Sequence, residues 1–282
     1  MRKNIWLTID WDYFAIEREE WKWAHAETET YYGSVWEVRL ALAKAQGLDL
    51  KESAKLDDPH PRDFWKTLRG LGYRFDDLCE VIVGDSHQHG NKVFSRSNCE
   101  GPSLADTRLV NFDAHHDLTY NMAQFERDAL RGNVTCENWL LMTHLTQLQL
   151  KSLIVFPPWK GMADWTRSFG DGGFPELDAS LRRYTEPCVW PDPKVSEYAG
   201  NVEMVYICRS SAWSPPWHDA AFNDFVHGLK VPIMTPFQES LSPLVQRTID
   251  YEKVDYLAGL SDIAQISHQL ENPQTWSLLP RA

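Results

Sequence analysis

The sequence has few of the features that mark secreted, redox-active or membrane-spanning proteins. It contains only five cysteines in 282 residues, and no two of them form the C-x-x-C pair of a zinc ribbon or a redox motif. Because these cysteines are odd in number and unpatterned, and because the amino-terminus carries no cleavable signal pattern, we expect a cytoplasmic protein. No apolar run approaches the ~18–20 residues that cross a bilayer, so no membrane partner is expected.

Basic charge is also scarce. Lysine and arginine total 28 against 40 aspartates and glutamates, giving a formal net charge of -12. This balance argues against a nucleic-acid partner, which would favour a basic face, and is compatible with a cationic substrate. Internal repeats, low-complexity tracts and linkers are absent as well, so we expect a single catalytic domain over residues 1–282.

Apolar runs alternate with segments of helical length, a pattern that predicts an α/β fold. We expect three α-β-α layers around a mostly parallel central sheet. The predicted strands are Ile5–Ile9, Leu78–Val83, Arg108–Phe112, Ser152–Phe156, Glu203–Cys208 and Val231–Met234. The predicted helices are Val35–Ala45, Pro61–Leu71, part of Asn121–Arg131, Cys136–Leu150 and His218–Leu229, and Glu17–Thr30 is predicted to be a surface loop or broken helix.

The 13 tryptophans are numerous, and many lie outside any periodic core pattern. Tryptophan concentrates both in cores and at recognition surfaces. We expect Pro157–Pro175 to be a long loop that carries function or is disordered. Arg209–Trp217, with Arg209, Ser210 and Trp213 as candidate substrate contacts, fits either a substrate-facing loop or a rigid turn.

The chemically most informative stretch is Val110–Leu118, in which an apolar strand runs into Asp113, His115 and Asp117. In extended backbone, residues two apart point to the same side, so these three side chains are predicted to converge. Two carboxylates and an imidazole suit manganese, iron or zinc. The alternative is a polar loop with a buried, hydrogen-bonded histidine.

Two other predicted strands end in similar residues. Asp10 and Asp12 follow the first strand, and His87 or His89 follows the Leu78–Val83 strand in a glycine-flanked turn. A parallel sheet would bring these strand ends to one edge, where ligands bind in open α/β folds. Four carboxylates and two imidazoles suit two ions with a shared carboxylate, ~3.5–4 Å apart, that convert a water between them to hydroxide.

These segments resemble the arginase and agmatinase (ureohydrolase) superfamily. Asp113-Ala114-His115-His116-Asp117 is similar to its D-A-H-x-D motif, and Gly84-Asp85-Ser86-His87 is similar to its G-G-D-H segment. The family's D-x-D strand, usually late in the chain, is matched here by I-D-W-D-Y-F at the amino-terminus. The combination with Glu137-Asn138-Trp139 resembles more closely a divergent branch of the superfamily. That branch includes peptide arginases, which convert arginine residues of ribosomally made peptides to ornithine and urea.

The resemblance implies an arginase/deacetylase-like fold with the D-x-D strand moved to the amino-terminus. It also implies two Mn²⁺ ions, a precursor peptide as partner and a bridging hydroxide as nucleophile. One manganese would be held by His87, Asp113, Asp117 and Asp10, and the other by His115, Asp12, Asp113 and Asp10. Asp117 could also orient the hydroxide, and His89, His116 and His144 are candidate proton shuttles.

The substrate contacts are less constrained by the motifs. Glu137, with Asn138 beside it, is the candidate carboxylate for the guanidinium, although both could simply cap a helix. Tryptophan-rich loops could form an open peptide cleft whose rings stack on the guanidinium.

Three alternatives remain open at this stage. The first is the same chemistry on a free guanidino compound such as arginine or agmatine. The second is a single-zinc deacetylase, and the third is a non-catalytic module with a structural metal. Whether the chain forms a homo-oligomer is also open.

Overall fold

A computed structural model describes residues 4–16, 32–58, 60–96, 107–147, 150–169, 181, 183–232, 244 and 246–260. Within this part of the chain the fold is α/β, built on one six-stranded sheet. The strands are β1 (Asn4–Asp10), β2 (Arg74–Gly84), β3 (Thr107–Phe112), β4 (Lys151–Phe156), β5 (Thr185–Val189) and β6 (Asn201–Cys208).

The sheet has the order β2-β6-β1-β3-β4-β5, and each pairing between these strands is parallel. After β1 the chain forms β2 at one edge of the sheet, and then β3, β4 and β5 on the other side of β1. The last strand, β6, lies between β1 and β2. Strand order therefore reverses around β1, and in open α/β sheets such a reversal places the ligand crevice at the carboxyl ends of the central strands.

Helices fill the connections between the strands. They are α1 (Tyr32–Ala45), α2 (Leu50–Ser53), α3 (His60–Gly70), α4 (Gly90–Arg96), α5 (Met122–Arg131), α6 (Trp139–Thr146), α7 (Ala163–Phe169), α8 (Pro193–Glu197), α9 (Asp219–Gly228) and α10 (Tyr251–Ala258). Short 3₁₀ turns follow β1 at Trp11–Phe14, precede α4 at His87–His89 and precede α9 at Pro216–His218.

Alternate residues of the strands point into two separate cores. On one face, Ile5, Leu7 and Ile9 pack with side chains of α3 and α9. On the other face, Trp6 packs with side chains of α4, α5, α6 and α7, among them Trp139. This alternation explains the apolar character of the central strands, because a parallel sheet covered on both faces needs apolar residues on both. The predicted three-layer α-β-α arrangement agrees with this packing.

Several predicted boundaries differ from the structure. The Cys136–Leu150 helix is limited to α6, and the Pro157–Pro175 loop contains α7, while its residues 170–175 lie outside the described part. Strand β5 was not predicted. It carries Pro187 and is an edge strand, where a missing N–H is tolerated. Val231 and Pro232 are not in a strand, and Ile233, Met234 and Glu17–Thr30 lie outside the described residues.

Among the helices of the described ranges, none has both the length and the apolar character that a membrane span requires.

Candidate metal centre

The ends of the central strands meet at one edge of the sheet. Asp10, the last residue of β1, lies opposite Cys208 of β6, and Gly84 of β2 pairs with the same cysteine. On the other side, Ile9 of β1 lies opposite Phe112, the last residue of β3. The segments that follow β1, β2 and β3 therefore start at the same level, which brings their polar residues together as the sequence predicts.

His87 lies at the centre of a first cluster of acidic side chains. Its Nδ1 is 3.2 Å from Asp10 Oδ2, 3.0 Å from Asp113 Oδ2 and 2.9 Å from Asp117 Oδ2. His87, Asp10 and Asp113 each offer one ligand atom, and these atoms are close enough to one another to hold a metal ion. Of the two histidines between which the sequence left a choice, His87 is the one in this group.

A second group lies on the other side of Asp113. His115 Nδ1 is 3.0 Å from Asp12 Oδ2 and 3.7 Å from Asp113 Oδ1, and these three residues form another possible metal-binding group. The two groups use different oxygens of Asp113, Oδ2 facing His87 and Oδ1 facing His115. Asp113 therefore belongs to both groups, with one carboxylate oxygen facing each histidine.

The local backbone differs from the extended run that the D-x-H-x-D spacing suggested. β3 ends at Phe112, and residues 113–118 form an irregular turn. Asp117 has a φ of 51° and Thr119 a φ of 94°, a region that non-glycine residues adopt rarely and mostly where surrounding structure imposes it. The side chains converge because the chain folds back at Asp117, not because a strand continues.

Neighbouring side chains hold the first cluster in place. His87 Nε2 is 2.7 Å from Thr8 Oγ1, a contact that would fix the tautomer in which Nδ1 is free to bind a cation. Trp139 donates its indole N–H to Asp117 Oδ2 at 2.5 Å, and its ring lies 4.7 Å from that of His87. At Gly90, an added Cβ would lie 2.8 Å from the Trp139 ring, so glycine is needed for this close approach.

Some buried polar atoms of the cluster make no hydrogen bond to one another but are suited to bind a divalent cation. His87 Nδ1 and Asp12 Oδ2 are buried and make no hydrogen bond within the described residues, even though carboxylate oxygens lie 2.9–3.2 Å from His87 Nδ1 and His115 Nδ1 lies 3.0 Å from Asp12 Oδ2. Buried polar atoms are nearly always satisfied in folded proteins. Carboxylate oxygens and imidazole nitrogens together are the ligands of manganese, iron and zinc. The residues present can hold a metal ion.

Crowding of acidic groups raises the proton affinity of the metal-free cluster. Burial, followed by the charge of Asp113, raises the pKa of Asp117 to about 8, and burial and Asp12 raise the pKa of Asp10 well above its usual value. Burial lowers the pKa of His87, but Asp10 and the other carboxylates outweigh it and raise that pKa well above the usual range. The metal-free cluster therefore keeps protons that a cation would displace.

We expect the melting temperature of the metal-free protein to fall as pH rises from about 4 to about 8. A group whose pKa is higher in the folded than in the unfolded state stabilises the fold below the unfolded pKa and loses that contribution as pH rises through the folded pKa. For Asp117 this window extends from its usual 3.8 to about 8. Thermal unfolding at several pH values, with and without Mn²⁺, measures the effect, and Mn²⁺ should stabilise most at the alkaline end.

The matched control for this prediction is Asp117→Asn, which keeps the shape and tolerates positive φ but cannot titrate. Its melting temperature should depend less on pH than that of the parent protein. A flat or rising profile for the metal-free parent protein would contradict the prediction.

The two histidines predicted as catalytic residues are buried, and each contacts a serine hydroxyl. His116 is buried, accepts a hydrogen bond from the Leu118 N–H at Nδ1 and contacts Ser168 Oγ through Nε2 at 2.8 Å, and burial lowers its pKa to about 3. His144 is buried against Ser152 and Thr185, at the amino ends of β4 and β5, opposite the carboxyl edge. Burial lowers its pKa to about 4. These contacts account for both rings structurally, and a role for either as a proton shuttle stays a prediction.

The predicted substrate contacts divide into exposed and buried groups. Glu137 is exposed, and its carbonyl accepts from the Thr119 N–H, two residues from Asp117; its role toward a guanidinium stays a prediction. Asn138 is buried and accepts from the Thr135 N–H, a bond that closes the turn before α6. This contact explains its presence structurally.

Arg209 and Ser210, two further predicted substrate contacts, are buried and bound to other parts of the protein, and their role toward a substrate stays a prediction. Arg209 donates from Nε and Nη2 to the two oxygens of Asp85, at 2.9 and 2.8 Å. Ser210 is fully buried, and its carbonyl accepts from the N–H groups of Trp213 and Ser214. The Arg209–Trp217 segment is therefore a rigid turn in its first half.

Trp213 is the predicted contact that lies beside the centre. Its ring is 5.2 Å from that of His115, and it is half-buried, unlike the neighbouring serines. Since the His115 side chain itself retains 17% exposure, the two rings lie where the second group opens toward solvent.

The ion pair of Lys160 and Asp164, which lies beside His116, was not predicted from the sequence. Lys160 Nζ is 3.2 Å from Asp164 Oδ2, which also accepts from the Tyr120 hydroxyl at 3.3 Å, and Tyr120 stacks on His116 at 4.2 Å. Burial and the Lys160 charge act to lower the pKa of His115, but Asp12 and Asp113 outweigh them and raise that pKa well above its usual value. The Lys160 cation is therefore within electrostatic reach of the second group. The i, i+4 spacing of Lys160 and Asp164 could have indicated a helical turn in what was predicted as a loop.

Set against protein-family models, curated proteins and solved structures, the chain matches none of them, so its likeness to ureohydrolases depends on the motifs alone.

Proposed function

We propose that this chain is an arginase-like hydrolase that binds two manganese ions and converts arginine residues of a peptide to ornithine, with release of urea. The observation that carries the proposal is the pair of Asp/His groups that share Asp113 through its two oxygens. Two ions with a common carboxylate are the usual arrangement of sites in which water attacks an unreactive electrophilic carbon. A one-ion deacetylase would not require the second group.

The reaction consumes one water for each arginine. The C–N bond between the guanidino carbon and the side-chain nitrogen breaks, the carbon leaves as urea, and the side-chain nitrogen takes a proton and remains as the ornithine amine. Divalent ions bound here would supply an activated water near neutral pH. The protein's part is to orient the guanidino carbon and to keep the ligands in place.

Trp213 and Asp164 are the side chains beside the second group that could orient the substrate. The half-buried indole next to His115 is of the ring type on which a guanidinium stacks, and the guanidinium of Arg39 already lies 5.8 Å from its centroid. Asp164 is a buried carboxylate that Tyr120 and Lys160 hold in position. It is a second candidate beside Glu137 for the acidic partner of the substrate.

The test of the proposal is a metal analysis combined with mass spectrometry on Mn²⁺-loaded protein. Arginine-containing peptides and free arginine are offered side by side, and the metal-free protein is the control. Conversion lowers the peptide mass by about 42 Da per arginine, the difference between a guanidino group and an amine after metal-assisted hydrolysis. Conversion of free arginine alone would favour an ordinary ureohydrolase, and two bound ions without either conversion would contradict the substrate.

Replacing Trp213 separates binding from chemistry. We expect Trp213→Ala to raise KM about tenfold, since a stacked guanidinium gains about 1–2 kcal/mol from an aromatic face, with the number of bound ions unchanged. Trp213→Phe keeps an aromatic face and should retain most of the affinity. Steady-state kinetics measure both variants, and a loss of kcat at unchanged KM in Trp213→Ala would contradict a binding role.

A further inference from the structure

The protein is acidic overall, yet one of its cavities is basic. A cavity of about 1190 Å³ lies between α2, α3 and α9, and six lysine or arginine side chains and two aspartates are among the residues that line it. The cationic residues are Lys51, Lys55, Arg62, Lys66, Arg69 and Lys230. We refer to this cavity as the basic groove. Its charge is opposite to that of the chain as a whole, which carries 40 acidic and 28 basic residues.

Part of this charge is not neutralised locally. Arg62 is paired with Asp58 through two hydrogen bonds of 2.6 and 2.7 Å, and Lys55 is paired with Glu52. For Lys51, Lys66 and Lys230, by contrast, no carboxylate lies within ion-pair distance in the described part of the chain. Lys51 instead lies over the Tyr251 ring at 4.7 Å. The groove therefore presents positive charge to whatever enters it.

The floor of the basic groove is apolar. Trp65 and Phe225 are buried there, and Leu56 and Trp217 are half-buried along its wall. An anion alone would gain nothing from these side chains. A chain that carries both carboxylates and apolar groups would use the rim and the floor together, as amphipathic peptides do in grooves.

One end of the basic groove is joined to the segments that carry the metal centre. Leu56 forms a β-bridge with Ala15, three residues after Asp12. Ala54 accepts hydrogen bonds from Trp217, at the end of the turn that carries Trp213, and from His218. At ~3.3 Å per residue plus one inter-strand spacing of ~5 Å, the groove begins within roughly 15 Å of Asp12.

We infer that the basic groove binds an acidic, apolar-rich segment of the peptide whose arginine enters the metal centre. The claim that the arginine of this peptide enters the metal centre rests on the proposed function. The claim that the groove binds the acidic segment does not. An extended peptide covers roughly 15 Å with about five residues. The acidic segment is therefore expected about five residues away from the modified arginine, so that charge complementarity in the groove aids selection of the substrate.

Binding is tested first with a labelled peptide that lacks arginine and combines glutamates with leucine and phenylalanine. Fluorescence anisotropy is measured on the full chain, on Lys51→Glu/Lys66→Glu and on a control of equal charge change, Lys92→Glu/Lys151→Glu, whose exposed lysines lie outside the groove. We expect the groove variant to bind about tenfold more weakly, as two lost charge contacts of about 0.7 kcal/mol each predict. The control should bind like the parent protein.

Equal affinity of all three proteins would overturn the inference. So would a single-stranded oligonucleotide that binds the parent protein more tightly than the peptide, because the groove would then select phosphate charge alone. Failure of the proposed function has a different signature, namely intact peptide binding by the groove without conversion of any arginine.

The second test uses arginine peptides in which the distance to the acidic segment is varied. KM should be lowest at a spacing of about five residues, and the groove variant should lose this dependence while keeping kcat. Hydrolysis that is independent of the acidic segment in the parent protein would overturn the inference while leaving the proposed function standing.

Discussion

Asp113→Asn should abolish binding of both metal ions and lower hydrolysis by at least about 10³-fold. The two oxygens of Asp113 face different groups, Oδ2 toward His87 at 3.0 Å and Oδ1 toward His115 at 3.7 Å. An amide keeps one oxygen and loses the negative charge, so neither group retains its ligand set. Replacing residues that merely support a ligand already costs about 10–100-fold in metal affinity or activity, and the loss of a shared ligand should exceed that.

Asp12→Asn is the informative comparison, because Asp12 is placed in the His115 group only. We expect this variant to lose one ion and keep the other, and to be inactive in hydrolysis. Asp128→Asn controls for the substitution itself. Asp128 is a buried aspartate of α5 that accepts from Gln124, and its replacement should leave metal binding unchanged.

Metal content after dialysis and calorimetric titration with Mn²⁺ measure these variants. Two ions bound to Asp113→Asn with the affinity of the parent protein would contradict the shared carboxylate. Loss of both ions from Asp12→Asn would show instead that the two groups bind as one unit. Circular dichroism of each metal-free variant establishes that the fold itself is retained.

The positions of the candidate metal-binding residues could be predicted because they depend on strand ends. Apolar runs locate β1, β2 and β3, and parallel pairing places Asp10, Gly84 and Phe112 at one edge whatever the details of the helices. The direction of individual side chains could not be predicted in the same way. Asp117 itself has a left-handed backbone conformation, and this conformation directs its side chain toward His87. The alternation of side chains along an extended strand does not predict such a turn.

Roles that depend on distant partners could not be predicted from the sequence. His116 and His144 are candidate proton shuttles because a histidine can transfer protons near neutral pH. In the fold, His116 is buried against Ser168, and His144 is buried against Ser152 and Thr185. A local pattern contains no information about such partners. The same holds for the Arg209–Asp85 pair, whose members are 124 residues apart in the chain.

Arg209→Met should destabilise the fold by about 3–5 kcal/mol, because it leaves the buried carboxylate of Asp85 without its counter-charge. The side chains of Arg209 and Asp85 retain only 5% and 1% exposure, and Ser211 donates a further hydrogen bond to the same carboxylate. The Arg209 N–H also donates to the Gly84 carbonyl at 2.9 Å, so the pair joins the ends of β6 and β2 immediately before His87. We therefore expect weaker Mn²⁺ binding in this variant as well as a lower unfolding midpoint in urea.

Arg62→Met is the matched control, since Arg62 also makes a two-bond contact with an aspartate, Asp58, at 2.6 and 2.7 Å, but its side chain is 71% exposed. A surface pair of this kind contributes at most about 1 kcal/mol. Arg209→Met/Asp85→Leu removes both buried charges and should recover much of the lost stability, as uncharged replacements of buried ion pairs often do. Equal destabilisation by Arg62→Met and Arg209→Met would contradict this account, whereas a stable double variant with weakened Mn²⁺ binding would show that the ion pair positions His87 more than it stabilises the fold.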